Sequence, residues 1–283
     1  MVQNLQQIKK KLQVTNNIAK LSKVIEMMAI SKLYKKKNLL NIYTIYVKRI
    51  RYMLQHSINN NMINNQYISI ANNNCLLFIV SPDRGLCGSI VTKLTKKVYS
   101  YLDLAYNNNN YIVLIGKKVK KIFNKGNSTI VTSFDTNMLN NELIYELMEI
   151  ITKFFSTGKI TKIIVAYTKF ENMFNQKALI EEIWPIQQFN NCNNNHNYMF
   201  EPNVQYVLMD LLPYYIEIAL YNTLLNAYVS EQAARIIAMK NSRNNACDVS
   251  MSLTNFYNKV RQEKITSDIL DLSNGNEYLE NII

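Results

Sequence analysis

The sequence predicts an α/β protein joined to a long coiled coil. N- and C-terminal helices pair antiparallel and flank a Rossmann-like α/β domain with a mainly parallel sheet. Two observations carry the helices and one carries the sheet. The stretch from Tyr214 to Leu272 contains neither Gly nor Pro and reads as one amphipathic helix, and residues 3–56 carry a second helical pattern. Between them, short apolar runs alternate with helical patterns, as in successive strand–helix units.

In the first element Leu5, Ile8 and Leu12, then Ile18, Leu21, Ile25 and Met28, recur at three- and four-residue steps. This spacing predicts that the apolar stripe slips once near Thr15. The lysines at 9–11, 20, 23, 32 and 35–37 read as a solvated face, and the polar, Asn-rich residues 57–74 as a loop. Cys75 to Val80 is a strand, followed by the turn Ser81 to Ser89 and a helix marked by Val91, Leu94, Val98 and Leu102. Tyr111 to Ile115 ends at Gly116 and precedes the helical Val119 to Phe123, and Thr129 to Ser133 is a third strand. Leu139 to Phe155 repeats at helical spacing and closes near Gly158, a C-cap glycine. Lys162 to Tyr167 and Lys177 to Ile186 supply two more strands, and Gln188 to Asn197 is a polar linker.

Pro213 is expected to start or kink the closing helix, because it lacks the amide that a helix interior needs. Along that helix Leu211, Tyr215, Ile218, Asn222, Leu225, Val229, Gln232, Ile236, Met239, Arg243, Ala246, Ser250, Leu253, Tyr257 and Val260 form a seam for a partner helix. At 1.5 Å per residue the segment 214–272 spans roughly 90 Å. Most of it needs surroundings that this chain does not supply. The expected domains are a coiled-coil helix at 1–57, an α/β domain at 75–200 and a second coiled-coil helix at 203–283.

Composition narrows the function classes. The 283 residues are 48% hydrophobic, but no run reaches the ~20 apolar residues a membrane crossing requires. No apolar signal region precedes the first helical pattern, so the chain is expected to stay in the compartment where it is made. A formal net charge of +12 favours acidic partners without choosing among them. Cys75, Cys87, Cys192 and Cys247 show no CxxC spacing, and only His56 and His196 accompany them, so neither a metal site nor a disulfide framework is expected. The asparagine runs near residues 59–61, 72–74, 107–110 and 190–195 read as the mark of an AT-rich genome.

Asp83-Arg84-Gly85-Leu86-Cys87-Gly88 sits where a phosphate loop would, yet it matches neither GxxxxGK[ST] nor GxGxxG. A structural turn is the stronger reading. Cys87 has no histidine near it in sequence and lacks the surroundings of a nucleophile. No catalytic residue, cofactor or metal is therefore expected. Ser230 to Arg235 and Ala238 to Asn241 combine small residues with fixed charges, permitting close helix approach. Further on, Arg261, Gln262 and Thr266 set donors on a helix whose seam is already satisfied.

Taken together, several strings resemble the γ-subunit family of the F-type ATP synthase, in its bacterial form. Ile25 to Leu33 resembles the family's EMVAASKM segment, Ser81 to Gly88 its S-x-DRGLCG turn, and Phe200-Glu201-Pro202 with Leu211-Leu212-Pro213 its FEP and LLP. Ser230 to Lys240 resembles SEQAARMxAMK, and Tyr257 to Thr266 resembles YNKxRQxxIT. The resemblance implies a central rotor shaft that couples ion-driven rotation to ATP synthesis or hydrolysis. Its partners would be the α and β subunits of the catalytic ring, the ε subunit and the c-subunit ring. It implies contacts from Ile25, Met28 and Lys32 toward the lower part of the ring, from Arg235, Arg261, Gln262 and Thr266 toward the β subunit, and a further partner contact from Lys240. The shaft would be peripheral, at the cytoplasmic face of a bacterial membrane. Tyr214, where the family commonly has Arg, and Arg243-Asn244 depart from the pattern. The alternative is a basic coiled-coil nucleic-acid-binding protein, which would require a grouped basic or aromatic patch rather than dispersed lysines.

Overall fold

The computed structural model describes residues 2–59, 74–104, 110–123, 129–135, 141–186, 201 and 204–280. The predicted linker at 188–197 and Phe200 and Pro202 lie outside these residues, as does most of the predicted 57–74 loop. The described elements are α1 (Val2–Asn59), β1 (Cys75–Val80), α2 (Ile90–Leu104), β2 (Asn110–Ile115), α3 (Lys117–Phe123), β3 (Thr129–Phe134), α4 (Asn141–Ser156), β4 (Lys162–Phe170), β5 (Gln176–Trp184) and α5 (Val204–Glu280).

The strands form one sheet in the order β3-β2-β1-β4-β5. The β1–β2, β1–β4 and β2–β3 pairs are parallel, and only β5 runs antiparallel, on β4. Every residue of central β1 is buried, which explains a continuous apolar run instead of an alternating one. Leu76, Phe78 and Val80 belong to one core, with Val113, Ile115, Ile163 and Val165, Leu147 of α4, Leu54 of α1 and Tyr215 and Ala219 of α5. Leu77 and Ile79 belong to the other, with Ile112, Leu114 and Ile164, Leu94 and Val98 of α2 and Phe123 of α3. The sheet is thus covered on both faces, and each fully buried Leu, Ile or Phe contributes about 1.5–3 kcal/mol.

Local chemistry sets the element ends. Gly158 has φ +63°, and the amides of Gly158 and Lys159 return to Phe155 O at 2.9 Å and Phe154 O at 3.2 Å, closing α4 as expected of a C-cap. Asn172 Oδ1 accepts from the amides of Phe174 (2.9 Å) and Asn175 (2.7 Å), turning β4 back into β5. At the end of β2, Gly116 has φ +107°, and a Cβ there would lie 2.1 Å from Ser81 O. Only glycine admits that approach.

Of the two expectations for Pro213, the start is not met: α5 begins at Val204 and runs through the proline. Leu208, Leu212, Tyr215 and Ile216 bury the helix on both sides of the proline, and this packing outweighs one missing backbone bond. The helix also continues past Gly275 to Glu280.

Contacts divide the chain into two units, 1–28 with 236–283, and 29–235. In the first unit the helices run antiparallel. Asn16 Oδ1 accepts from Ser250 Oγ at 2.7 Å, Ser22 and Ser242 hydroxyls meet at 3.2 Å, and Arg243 Nη1 lies 3.0 Å from Glu26 Oε2. The Arg243–Glu26 approach is a charge contact rather than an aligned hydrogen bond. On α5 the predicted seam residues Ile236, Met239, Arg243, Ala246, Ser250, Leu253, Tyr257 and Val260 are all buried or half-buried.

On α1 the structure corrects the predicted slip. The inward positions are Leu5, Ile8, Leu12, Thr15, Ala19, Ser22 and Glu26, an unbroken alternation of three and four. Ile18, Leu21 and Met28 are exposed, Leu21 at 62%, and Ile25 is half-buried. The opposing seam explains this. Arg243, Ala246 and Ser250 require a carboxylate, small residues and hydrogen-bond partners, which the polar register supplies and the apolar one lacks.

In the second unit the same two helices also run antiparallel. Thr44 Oγ1 donates to Asn222 Oδ1 at 3.1 Å, and the rings of Tyr43 and Tyr221 meet edge to face at 4.6 Å.

Candidate functional site

The sheet order reverses between β1 and β4, the place where open α/β proteins usually hold ligands. Here that crevice is filled by α5. Ser230 Oγ donates to Thr168 O on β4 at 2.9 Å. One turn on, the Arg235 guanidinium bonds Glu231 Oε1 at 2.5 Å, Gln232 Oε1 at 3.1 Å and Gly85 O, in the turn after β1, at 3.4 Å. The space left, lined by Val80, Ser81, Pro82, Thr168, Tyr228 and Glu231 among others, is about 20 Å³. That is room for a water and far below a phosphate.

The turn itself is held from within. Asp83 Oδ1 accepts the Lys117 amide at 2.9 Å, and Ser81 Oγ accepts the Val119 amide at 3.3 Å, so both acceptors cap α3. Leu86 and Gly88 have φ +64° and +66°, which give the tight path between β1 and α2. The structural reading of the Asp83 to Gly88 turn therefore fits the geometry. Burial pushes the Cys87 thiol up, with the Glu231 charge adding to it against Arg235, so the thiol stays protonated at neutral pH and is a poor nucleophile. Burial pushes Cys75 up to about 11.

Glu231 shows how far burial governs this cluster. Its carboxyl is raised above the ordinary value of 4.5, burial being the largest cause; Arg235 and Lys32 pull it down and Asp83 pushes it up. The ion pair to Arg235 is short, yet desolvation outweighs it. Arg235 is only 8% exposed, so its guanidinium serves the fold from inside. The sequence expectation placed it against a partner. Its spacing of four from Glu231 was the available signal for an internal pair.

The remaining predicted contact residues lie on helix surfaces. Lys32, Lys240, Arg261, Gln262 and Thr266 are exposed, Met28 is exposed at 52%, and Ile25 is half-buried. Thr266 Oγ1 returns to Gln262 O at 3.0 Å, leaving the Gln262 amide and the Arg261 guanidinium outward. Asn16, Ser22 and Ser242, which help hold the helices together, carry no motif by which the sequence would reveal them, and Glu26 lies in the Ile25 to Leu33 string without its pairing to Arg243 being legible there. Among the described residues no group of three or more His, Cys, Asp or Glu side chains gathers as a metal site would.

Fold and site define a class: a protein of paired long helices attached to a doubly wound sheet whose ligand crevice is closed by one of those helices. A family described as ATP synthase matches residues 4–279. An ATP synthase gamma chain from Buchnera aphidicola subsp. Melaphis rhois is 32% identical over 96% of this chain and 96% of its own length. One from Blochmanniella floridana is 28% identical over 98% and 99%. In solved structures, a chain of the Euglena gracilis mitochondrial ATP synthase rotor aligns with a TM-score of 0.61 at 16% identity, covering 94% of this chain and all of that one. A chain from the same organism's OSCP/F1/c-ring assembly aligns at 0.63, also at 16% identity, over 96% and 93%. The chain belongs to the ATP synthase gamma chain family. These relatives give no support to the nucleic-acid-binding alternative.

Proposed function

We propose that the chain is the central rotor shaft of an F-type ATP synthase. It is a non-catalytic subunit that couples ion-driven rotation to conformational change in a ring of α and β subunits and also binds ε and the c-subunit ring. The observation that carries this is the antiparallel helix pair, whose seam is locked by hydrogen bonds and charge, in a chain of this family. Such a seam fixes register, and a shaft must hold register under torque. No described helix is long and apolar enough to cross a membrane, which fits attachment through the complex, at the cytoplasmic face of a bacterial inner membrane.

The mechanism follows from asymmetry. A lopsided shaft inside a pseudo-threefold ring presents different side chains to each β subunit, so each orientation favours a different set of open and closed sites. That is a differential binding free energy, and it is reciprocal: turning the shaft releases nucleotide, and hydrolysis turns the shaft. Ile25, Met28, Lys32, Lys240, Arg261, Gln262 and Thr266 make the contacts. Arg235 contributes by pinning α5 to the turn after β1. The exposed apolar side chains Val14, Ile18, Leu21, Val24 and Met27 belong to the same contact face, since water is a poor neighbour for such a strip. The test is the double substitution Arg261→Ala with Gln262→Ala, which removes outward donors without touching the seam. Reduced yield of complex or reduced ATP synthesis is expected, with the chain's own unfolding midpoint unchanged. Wild-type assembly and synthesis would refute the assignment.

A further inference from the structure

The crevice that α5 closes keeps a small cavity, and the groups around it are chemically specific. Among the described residues five buried side-chain oxygen or nitrogen atoms have no hydrogen-bond partner, and one of them is Thr168 Oγ1 on β4. Thr168 is only 4% exposed, and it lines the cavity of about 20 Å³ together with Ser81, Tyr228 and Glu231. A buried hydroxyl without a partner has lost its water bonds and gained nothing for them. Glu231, in the same lining, has acceptor capacity to spare. Arg235 bonds its Oε1, whereas a carboxylate accepts about four donors.

Size and charge together select what fits. One water needs a space of about 10–15 Å³ on the same measure, so the cavity admits a molecule of that size and excludes any organic ligand. A cation is disfavoured because the buried Arg235 guanidinium already holds Glu231, and an anion because Glu231 and Asp83 both oppose it. Val80, Ile90, Leu143 and Leu224 make the rest of the wall apolar, so no ring of oxygens is present to replace an ion's hydration shell. What remains is a neutral molecule that both donates and accepts.

We propose that the closed crevice is a binding site for one ordered water, which accepts a hydrogen bond from Thr168 Oγ1 and donates one to the Glu231 carboxylate. It joins β4 to α5 a second time, beside the direct bond from Ser230 Oγ to Thr168 O. Where an open α/β protein holds its ligand, this chain holds a single water that fastens the helix filling the crevice. The lining residues all lie within the 29–235 unit, so the site needs no partner subunit and stands independently of the shaft reading.

The experiment is a high-resolution crystal structure of the full chain as wild type, Thr168→Val and Thr168→Ser, with carbon-13 NMR of the glutamate carboxyls on the same three proteins. The expected result is a water peak about 2.7–3.2 Å from both Thr168 Oγ1 and a Glu231 carboxylate oxygen in the wild type. The peak stays in Thr168→Ser, which keeps the hydroxyl, and disappears in Thr168→Val, which keeps the shape alone. Losing a donor to the charged carboxylate also moves the Glu231 titration to higher pH in Thr168→Val, while Thr168→Ser titrates as the wild type does. Arg235, Lys32, Asp83, Tyr228 and Cys87, the other titratable groups that interact with Glu231, are the same in all three proteins. No peak in the wild type, a direct bond from Thr168 Oγ1 to another protein atom, a peak unchanged in Thr168→Val, or a Glu231 titration identical in all three overturns the proposal. If Thr168→Val does not fold, the wild-type and Thr168→Ser structures decide it by the presence or absence of the peak.

Discussion

The Arg235 cluster yields the sharpest quantitative prediction. Arg235→Met keeps most of the aliphatic stem and removes the cation, leaving the buried Glu231 carboxylate with Asp83 nearby and only Lys32 to offset it. The folded chain can relieve that by protonating Glu231. Starting from an ordinary value of 4.5, protonation near pH 7 costs about 3.4 kcal/mol, which caps the charge-burial penalty. Near pH 5 the cap falls to about 0.7 kcal/mol. The lost bonds to Gln232 and Gly85 add about 1–2 kcal/mol at either pH.

The sign is set by linkage. Glu231 is raised in the fold, so the folded chain holds more protons above pH 4.5 and its stability falls as pH rises through that window. Losing Arg235 extends the window upward, so the variant's deficit against wild type grows from about pH 5 to about pH 7, by at most about 2–3 kcal/mol. Urea unfolding of the full chain at the two pH values, followed by far-UV circular dichroism, measures it. Glu231→Gln added to Arg235→Met abolishes the pH dependence. Equal deficits at both pH values, or a double variant as pH-sensitive as the single, would show that Glu231 is not the buried charge the geometry describes.

Other consequences follow from single contacts. Gly116→Ala places a methyl 2.1 Å from Ser81 O at a φ that L residues avoid, so urea unfolding should show a loss of about 3 kcal/mol or more; less than 1 would mean the β1–β2 ends are not so close. In the native chain Cys247, which is exposed, should react with a maleimide well before Cys75 and Cys87, which are buried and raised; mass spectrometry of tryptic peptides reads the order. Ile18→Lys with Leu21→Lys should leave the isolated chain's stability within about 0.5 kcal/mol yet weaken its retention in the complex, since both side chains are exposed in the chain alone. Loss of fold would place them in its core instead.

Legibility differed by element. The strands were readable because each is a short apolar run ending at a glycine, a turn or a polar stretch, and β1 is buried along its whole length. The α5 seam was readable because its apolar and small residues keep one register, and Ile236 to Val260 face inward as predicted. The α1 stripe misled for the same reason that the rule works elsewhere. Periodicity marks which face is apolar, not which face meets the partner helix, and here Ile18, Leu21 and Met28 form an outer strip while Ala19, Ser22 and Glu26 meet α5. Pro213 misled as a helix start because propensity was weighed without the burial that carries α5 through it.

What the sequence by itself determined is the set of elements and the family, since both reside in local patterns: apolar period, glycine and proline placement, and strings such as Ser230 to Lys240. What only the tertiary structure decided is the partnership of polar groups. Glu26 with Arg243, Ser22 with Ser242, Arg235 with Gly85 and Thr168 beside Glu231 bring together residues far apart in the chain. A charge or hydroxyl has no preferred periodicity, so its role is fixed by which opposite group the fold brings within about 3 Å and by how much water is excluded there.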